Sequence, residues 1–126
     1  VLVVEDNLVN QKVVMRVLER AGCAVSIAHN GVEAVAAVHS GRFAVVFMDI
    51  QMPEMDGLEA TSAIRRLPAP VDQPYIIALT AAVAEVDRAR CLAAGMNDFV
   101  SKPARTEDLS AALHRALAAR NQPAPA

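Results

Sequence analysis

Nothing in this chain gathers positive charge. Twelve lysine and arginine residues face fourteen acids, for a net charge of -2, and lysine occurs only at positions 12 and 102. A surface that tracks a nucleic-acid backbone needs a basic run or arginine cluster, and none is present, so direct nucleic-acid binding is not expected. Cysteine is almost as scarce. Cys23 and Cys91 are isolated, lack metal-ligand spacing, and read as reduced thiols, not as a disulfide. His29, His39 and His114 are scattered, with no histidine or cysteine at ligand distance along the chain. No apolar stretch approaches the length of a membrane-spanning helix, and no signal-peptide pattern opens the chain.

What is present describes one folded domain. The 126 residues are 54% hydrophobic and 21% charged, a composition that excludes disorder and suffices for a single core. The domain is expected over 1–120, with 121–126, rich in alanine and proline, as the start of a linker. The first residue already lies within an apolar run, so both ends are expected to be cuts within a longer polypeptide.

Strand-like and helix-like segments alternate. Val1-Leu2-Val3-Val4 is a continuous apolar run of the kind found in parallel strands covered on both faces. Asn7 can cap a helix with a stripe of Val9, Val13, Val17 and Ala21, flanked by Val14 and Leu18, up to a stop at Gly22. Ala24 to Ala28 reads as a second strand. Asn30 with Glu33 has capping-box spacing for a helix carried by Val32, Val35 and Val38 to Gly41. Ala44 to Met48 is a third strand ending at Asp49, and Asp56 with Glu59 opens a third helix facing inward through Leu58, Thr61, Ile64 and Leu67. Tyr75 to Leu79 is a fourth strand ending at Thr80. A fourth helix over 83–94 has the thinnest stripe, with Val86, Ala89, Leu92 and Ala93 among charged residues. Asp98 to Ser101 is a fifth strand, followed by Lys102-Pro103 and by a helix from Thr106 facing inward through Leu109, Leu113 and Leu117. Five such repeats with short connections predict a parallel sheet with right-handed crossovers and helices on both faces.

The strand ends carry the chemistry. Glu5 and Asp6 follow strand one, Asp49 ends strand three, Thr80 ends strand four and Lys102 follows strand five. A parallel sheet delivers all of them to one edge, where α/β folds bind ligands. Carboxylates crowded there must neutralise, pair or bind a cation. Hard oxygen ligands with a vacant position suit Mg²⁺, which accepts phosphate oxygens readily. A carboxylate nucleophile, a cation, a hydroxyl and an ammonium make a plausible phosphoryl-transfer site.

Four segments carry a family resemblance: VLVVEDN at the start, MDIQMPEMDG around Asp49, ALTA around Thr80 and DFVSKP ending at Pro103. In this order and spacing the chain resembles a response-regulator receiver domain of two-component signalling, most like those of hybrid sensor histidine kinases. The resemblance implies a single α/β domain, a flavodoxin-like (βα)5 doubly wound parallel sheet of order 2-1-3-4-5. It implies that Asp49 accepts a phosphoryl group from a phosphohistidine. Mg²⁺ would be held by Asp6, Asp49 and the main-chain carbonyl of Gln51, with Glu5 acting through water. Lys102 would pair with a phosphoryl oxygen and Thr80 would donate its hydroxyl to another. Phe99 would be the aromatic switch, and Pro103 would follow a cis peptide bond. The fourth helix, fifth strand and fifth helix would form the readout face. Phosphorylation adds nearly two negative charges, and a few charge-assisted hydrogen bonds of about 1.5–3 kcal/mol each would supply the roughly 5 kcal/mol that inverts a two-state population.

Plainer readings stand beside these. Asp49 alone would be a strand-end cap, and Asp6 and Lys102 give it functional weight. Phe99 is equally readable as packing. Asp56 and Gly57 read as structural, a helix cap and a turn. Met48, Met52 and Met55 read as core and loop filler. His114 reads as a surface histidine, because phosphotransfer histidines belong to all-helical bundles. Gln51 and Ala82, two residues beyond Asp49 and Thr80, occupy positions that tune phosphate lifetime in the family, and this pair leaves the lifetime unread. The expected parent is a hybrid sensor histidine kinase, with a stand-alone or transcription-factor regulator as the alternative. An aspartyl-nucleophile phosphatase is a remote alternative, since Gln51 stands where it would need a second acid. A flavin-binding module of the same fold is disfavoured because Glu5-Asp6-Asn7-Leu8 would repel a phosphate. The domain is expected to catalyse only its own phosphorylation and dephosphorylation. Expected partners are a histidine kinase or histidine phosphotransfer domain and a weak homodimer, without membrane contact by this domain, in the cytoplasm or on the cytoplasmic part of a membrane-bound kinase.

Overall fold

Strands whose residues are apolar without alternation can be buried only between two layers, and that arrangement is the one found. A computed structural model describes residues 1–41, 43–50, 55–68, 73–80, 85–101 and 105–121. In chain order the elements are β1 (Leu2–Val4), α1 (Leu8–Arg20), β2 (Ser26–Ala28), α2 (Gly31–Ser40), β3 (Val45–Asp49), α3 (Gly57–Arg65), β4 (Tyr75–Thr80), α4 (Glu85–Ala94), β5 (Asp98–Ser101) and α5 (Thr106–Asn121). The five strands form one parallel sheet of order β2-β1-β3-β4-β5. The expected flavodoxin-like topology is therefore present.

Successive side chains along each strand enter different layers. Leu2, Val4, Val46, Met48, Ile76 and Ala78 pack with Ala34 and Val38 of α2, Ala60 and Ile64 of α3 and Cys91 of α4. Val3, Val45, Phe47, Ile77, Leu79 and Val100 pack on the opposite face with Val14 and Leu18 of α1 and Leu109, Ala112, Leu113 and Ala116 of α5. Every residue of β1 and β3 is buried, which is why neither run shows a period of two.

The helix starts follow their caps. Asn7 Oδ1 accepts from Val9 and Asn10 N–H at 2.9 and 3.1 Å, Asn30 Oδ1 from Glu33 N–H at 2.9 Å, and Asp56 Oδ1 from Glu59 N–H at 2.8 Å. Gly22 ends α1 at φ +90°, a left-handed position at which glycine meets no steric cost. Glu33 turns back onto His29, whose N–H and ring it meets at 3.3 and 3.1 Å. That contact holds the exposed Glu33 carboxyl below the usual carboxylate range.

Several inner faces are rotated from their expected phase. On α1, Val9 and Val13 are exposed and the buried face is Gln11, Val14 and Leu18. Val32 of α2 is exposed, while Gly31, Ala34 and Val38 are buried. On α4, Ala89, Leu92 and Ala93 are exposed, and among its residues with described side chains Cys91 is buried on the sheet. On α5, Leu109 and Leu113 are buried as expected, with Ala112 and Ala116 beside them, and only Leu117 of the expected three is exposed. Each helix has more apolar residues than its contact with the sheet can cover, so some of them fall on the flanks. Apolar periodicity locates the helix but not the centre of its contact.

A staple absent from the sequence reading closes the edge opposite the strand ends. Arg65 of α3 donates Nε–H to the Gly95 carbonyl at 2.9 Å, and its terminal nitrogens reach Gln73 Oε1, the Pro74 carbonyl and Asn97 Oδ1 at 2.9, 2.8 and 2.6 Å. Half-burial draws its guanidinium below its ordinary value. On the far side of β5, Arg115 Nε–H donates to Asp98 Oδ2 at 2.6 Å. This joins α5 to the sheet and raises the Arg115 value above its ordinary one.

Candidate functional site

Parallel register brings the carboxyl ends of β1, β3, β4 and β5 together. Val4 pairs with Met48, Asp49 with Leu79 and Thr80 with Ser101. Glu5 and Asp6 therefore leave β1 beside Asp49, and Thr80 ends β4 on the other side. Glu5, Asp6 and Asp49 each contribute a carboxylate oxygen lying within 4.8 Å of the other two. Their environments differ. Glu5 is 1% exposed and Asp49 3% exposed, whereas Asp6 faces solvent. Thr80 is buried at 8% exposure.

Local bonding fixes this edge. Glu5 N–H donates to the Ala28 carbonyl at 3.1 Å, so the β1–β2 pairing extends one residue into the loop. Asn7 N–H donates to Glu5 Oε1 at 3.2 Å. Beyond Asp49, Ile50 N–H reaches the Leu79 carbonyl at 3.2 Å, and Gly57 N–H reaches the Ile50 carbonyl at 2.9 Å, which ties the start of α3 to the end of β3. Among the described residues no buried side-chain nitrogen or oxygen lacks a hydrogen-bond partner.

Of the residues singled out in the sequence, Glu5, Asp6, Asp49 and Thr80 come together. Phe99 lies one strand further along, partly buried against the layer that contains α4. Asp56 is the cap of α3, as expected. Gly57 is structural for a different reason than a turn, since its helix start lies directly on the Asp49 backbone. Gln51, Ala82, Lys102 and Pro103 lie outside the described residues. His39 and His114 are exposed, in keeping with surface roles. Gln11, unremarked in the sequence reading, is buried and donates its side-chain N–H to the Glu5 carbonyl at 2.6 Å. A polar residue at the i, i+3, i+7 spacing of Val14 and Leu18 was the signal for it.

The donor set suits a hard divalent cation. Three carboxylates from two chain segments, one solvent-facing and two buried, offer hard oxygen ligands of the kind such a cation takes. Unscreened, the same three groups repel one another.

Comparison with known proteins agrees with this geometry. The family model described as response regulator receiver domain matches residues 1–114. Hybrid signal transduction histidine kinase B of Dictyostelium discoideum is 45% identical over 119 residues, covering 86% of this chain and 6% of that protein. Hybrid kinase K of the same organism is 36% identical over 123 residues, covering 93% of this chain and 10% of that protein. The chain thus spans a tenth or less of the length of these curated relatives. Among solved structures, the receiver domain of sensor histidine kinase PA1611 from Pseudomonas aeruginosa PAO1 is 38% identical with a TM-score of 0.84, covering 93% of this chain and 95% of that one. It holds a magnesium ion coordinated in its active site cleft. The co-crystal of the Saccharomyces cerevisiae histidine phosphotransfer protein Ypd1 with the receiver domain of its downstream response regulator Ssk1 matches at 30% identity and a TM-score of 0.87, covering 96% of this chain and 90% of that one. With 114 of its 126 residues matched and its acids at the carboxyl edge of a 2-1-3-4-5 sheet, this chain belongs to the response regulator receiver domain family.

Proposed function

We propose that this receiver takes a phosphoryl group from a phosphohistidine onto Asp49, with Mg²⁺ in the acid cluster, as the cytoplasmic receiver of a hybrid sensor histidine kinase. The observation that carries the reading is the convergence of Glu5, Asp6 and Asp49 within 4.8 Å at the strand ends. An Asp49 carboxylate oxygen attacks phosphorus. The O–P bond forms as the P–N bond breaks, and the imidazole nitrogen keeps the electron pair. Burial of Asp49 at 3% exposure restricts water around the acceptor. Bound Mg²⁺ would neutralise charge on the carboxylates and on the transferring oxygens. Asp6 and Asp49 would hold it directly, together with the Gln51 carbonyl, and Glu5 would act through water.

After transfer, the Thr80 hydroxyl donates to one phosphoryl oxygen and the Lys102 ammonium pairs with another. Phe99 follows Thr80, and the face made by α4, β5 and α5 reports the change. Two contacts of β5 support this route. Phe99 packs against the layer containing α4, and the neighbouring Asp98 holds Arg115 of α5. A shift in β5 therefore acts on both helices.

Next to the acid cluster along the chain, the first turns of α1 leave Leu8 and Val9 about two-thirds exposed and Val13 nearly half exposed. These apolar side chains directly follow Asp6 and Asn7, and a histidine phosphotransfer protein is the partner whose docking they serve. Leu8→Asp with Val9→Asp is expected to slow transfer from such a protein by tenfold or more, about 1.4 kcal/mol or more. Labelling by a small phosphodonor should stay within about twofold. Equal slowing with both donors would remove α1 from the docking surface.

Incubation with a small phosphodonor and Mg²⁺, followed by intact mass measurement, tests the central reading. One labile phosphoryl adduct is expected in the wild type, and none with chelator or in Asp49→Asn. An adduct that persists in Asp49→Asn overturns the assignment.

A further inference from the structure

Asp6 differs from the other two acids in its exposure. Glu5 and Asp49 are enclosed, whereas Asp6 is exposed. Its backbone is held at the preceding peptide. The Glu5 carbonyl and the Asp6 N–H belong to one planar peptide unit that ends at the Asp6 Cα, so whatever holds that carbonyl also fixes the point from which the Asp6 side chain extends.

Gln11 holds it. This side chain is 5% exposed, on the α1 face otherwise made of Val14 and Leu18. A buried amide in such a place is costly unless bonded, and its N–H reaches the Glu5 carbonyl at 2.6 Å. The Glu5 N–H is held from the opposite side by the Ala28 carbonyl at 3.1 Å, and Glu5 Oε1 accepts from Asn7 N–H at 3.2 Å. The Asn7 carbonyl in turn accepts from Gln11 N–H at 3.0 Å. The loop between β1 and α1 is thus closed from within the helix.

We infer that Gln11 is a positioning residue for the acid cluster: its side-chain amide, bonded to the Glu5 carbonyl, fixes the peptide that places Asp6 beside the cation. The inference rests on the cation site proposed above. Outer contacts that orient metal-binding groups typically change affinity by about 10–100-fold when removed.

The test compares the wild type with Gln11→Met, which keeps the length and loses the donor, and with Val14→Ala, which opens a cavity on the same helix face but leaves the Glu5 carbonyl bonded. Calorimetric titration with Mg²⁺ is expected to show about tenfold weaker binding in Gln11→Met and binding within about twofold of wild type in Val14→Ala, although Val14→Ala melts lower. Metal-free backbone NMR is expected to move the Glu5 carbonyl carbon and Asp6 amide signals in Gln11→Met and to leave them in place in Val14→Ala. Wild-type affinity in Gln11→Met, or equal weakening in both variants, overturns the inference. Should Gln11→Met not fold, Gln11→Asn, with its amide one methylene short, takes its place under the same criteria. A wild type that binds no Mg²⁺ overturns the cation reading instead, and the metal-free spectra then decide whether Gln11 holds the Asp6 peptide.

Discussion

Asp49→Asn is expected to abolish phosphoryl uptake and, without divalent cation, to give a chain about 1 kcal/mol more stable than wild type. Carboxylate oxygens within 4.8 Å of one another repel by about 3.5 kcal/mol or more per pair at an effective dielectric of 20. Solvent around Asp6 screens part of that, and the bonds Asp49 itself makes offset more, which leaves a small net gain. Mg²⁺ should reverse the order. A ligand that binds only the folded state stabilises it by RT ln(1 + [L]/Kd), about 2.7 kcal/mol at a hundredfold excess over Kd. The variant has one charge fewer in the cluster, binds more weakly and gains less. Urea unfolding in chelator and in Mg²⁺ reads both signs. An equal Mg²⁺ increment in the two proteins would show that Asp49 is not a ligand.

The strands were legible because burial on both faces removes the need for alternation. Val45 to Met48 could hardly be anything else once Asp49 ends the run and Gly57 starts a capped helix. The caps were legible for a local reason, since Asn7, Asn30 and Asp56 each bond an N–H two or three residues away. Helix phase was not. In α1, valines at 9, 13, 14 and 17 cover so much of the circumference that the apolar side gives no single direction. The buried face is Gln11, Val14 and Leu18, and the Gln11 amide is accommodated there by its bond to the Glu5 carbonyl. In α5 the packing line takes Leu109, Ala112, Leu113 and Ala116 and leaves Leu117 exposed.

The acid cluster was readable since each member sits at a strand end, and register does the rest. What the sequence could not express is how the cluster is held. Gln11 acts on a main-chain carbonyl six residues away, and Arg65 gathers acceptors 8 to 32 residues away, so neither leaves a pattern in the local order of residues. Gly57 is an intermediate case. A glycine after Asp56 reads as a turn, but its backbone needs no left-handed conformation, and what demands glycine there is the chain lying beneath it.

Gly57→Ala is therefore expected to cost about 3 kcal/mol or more and to remove phosphoryl uptake with it. A Cβ built on Gly57 overlaps the Asp49 carbonyl oxygen and stands 2.8 Å from Ile50 Cα and 3.0 Å from the Asp49 carbonyl carbon. All three are backbone atoms, so no side chain can swing aside. Relief requires the end of β3 or the start of α3 to move. The first displaces the acceptor, and the second breaks the Gly57 N–H bond to Ile50. Gly22→Ala is the internal comparison. Gly22 has φ +90° and nothing within 4 Å of a built Cβ, so that change meets only left-handed strain of about 1–2 kcal/mol. Urea midpoints should order the proteins as wild type, Gly22→Ala, Gly57→Ala. Where all three are folded, phosphoryl uptake should persist in Gly22→Ala and fail in Gly57→Ala. If Gly57→Ala is as stable as Gly22→Ala and still labels, the α3 start does not bear on the Asp49 backbone.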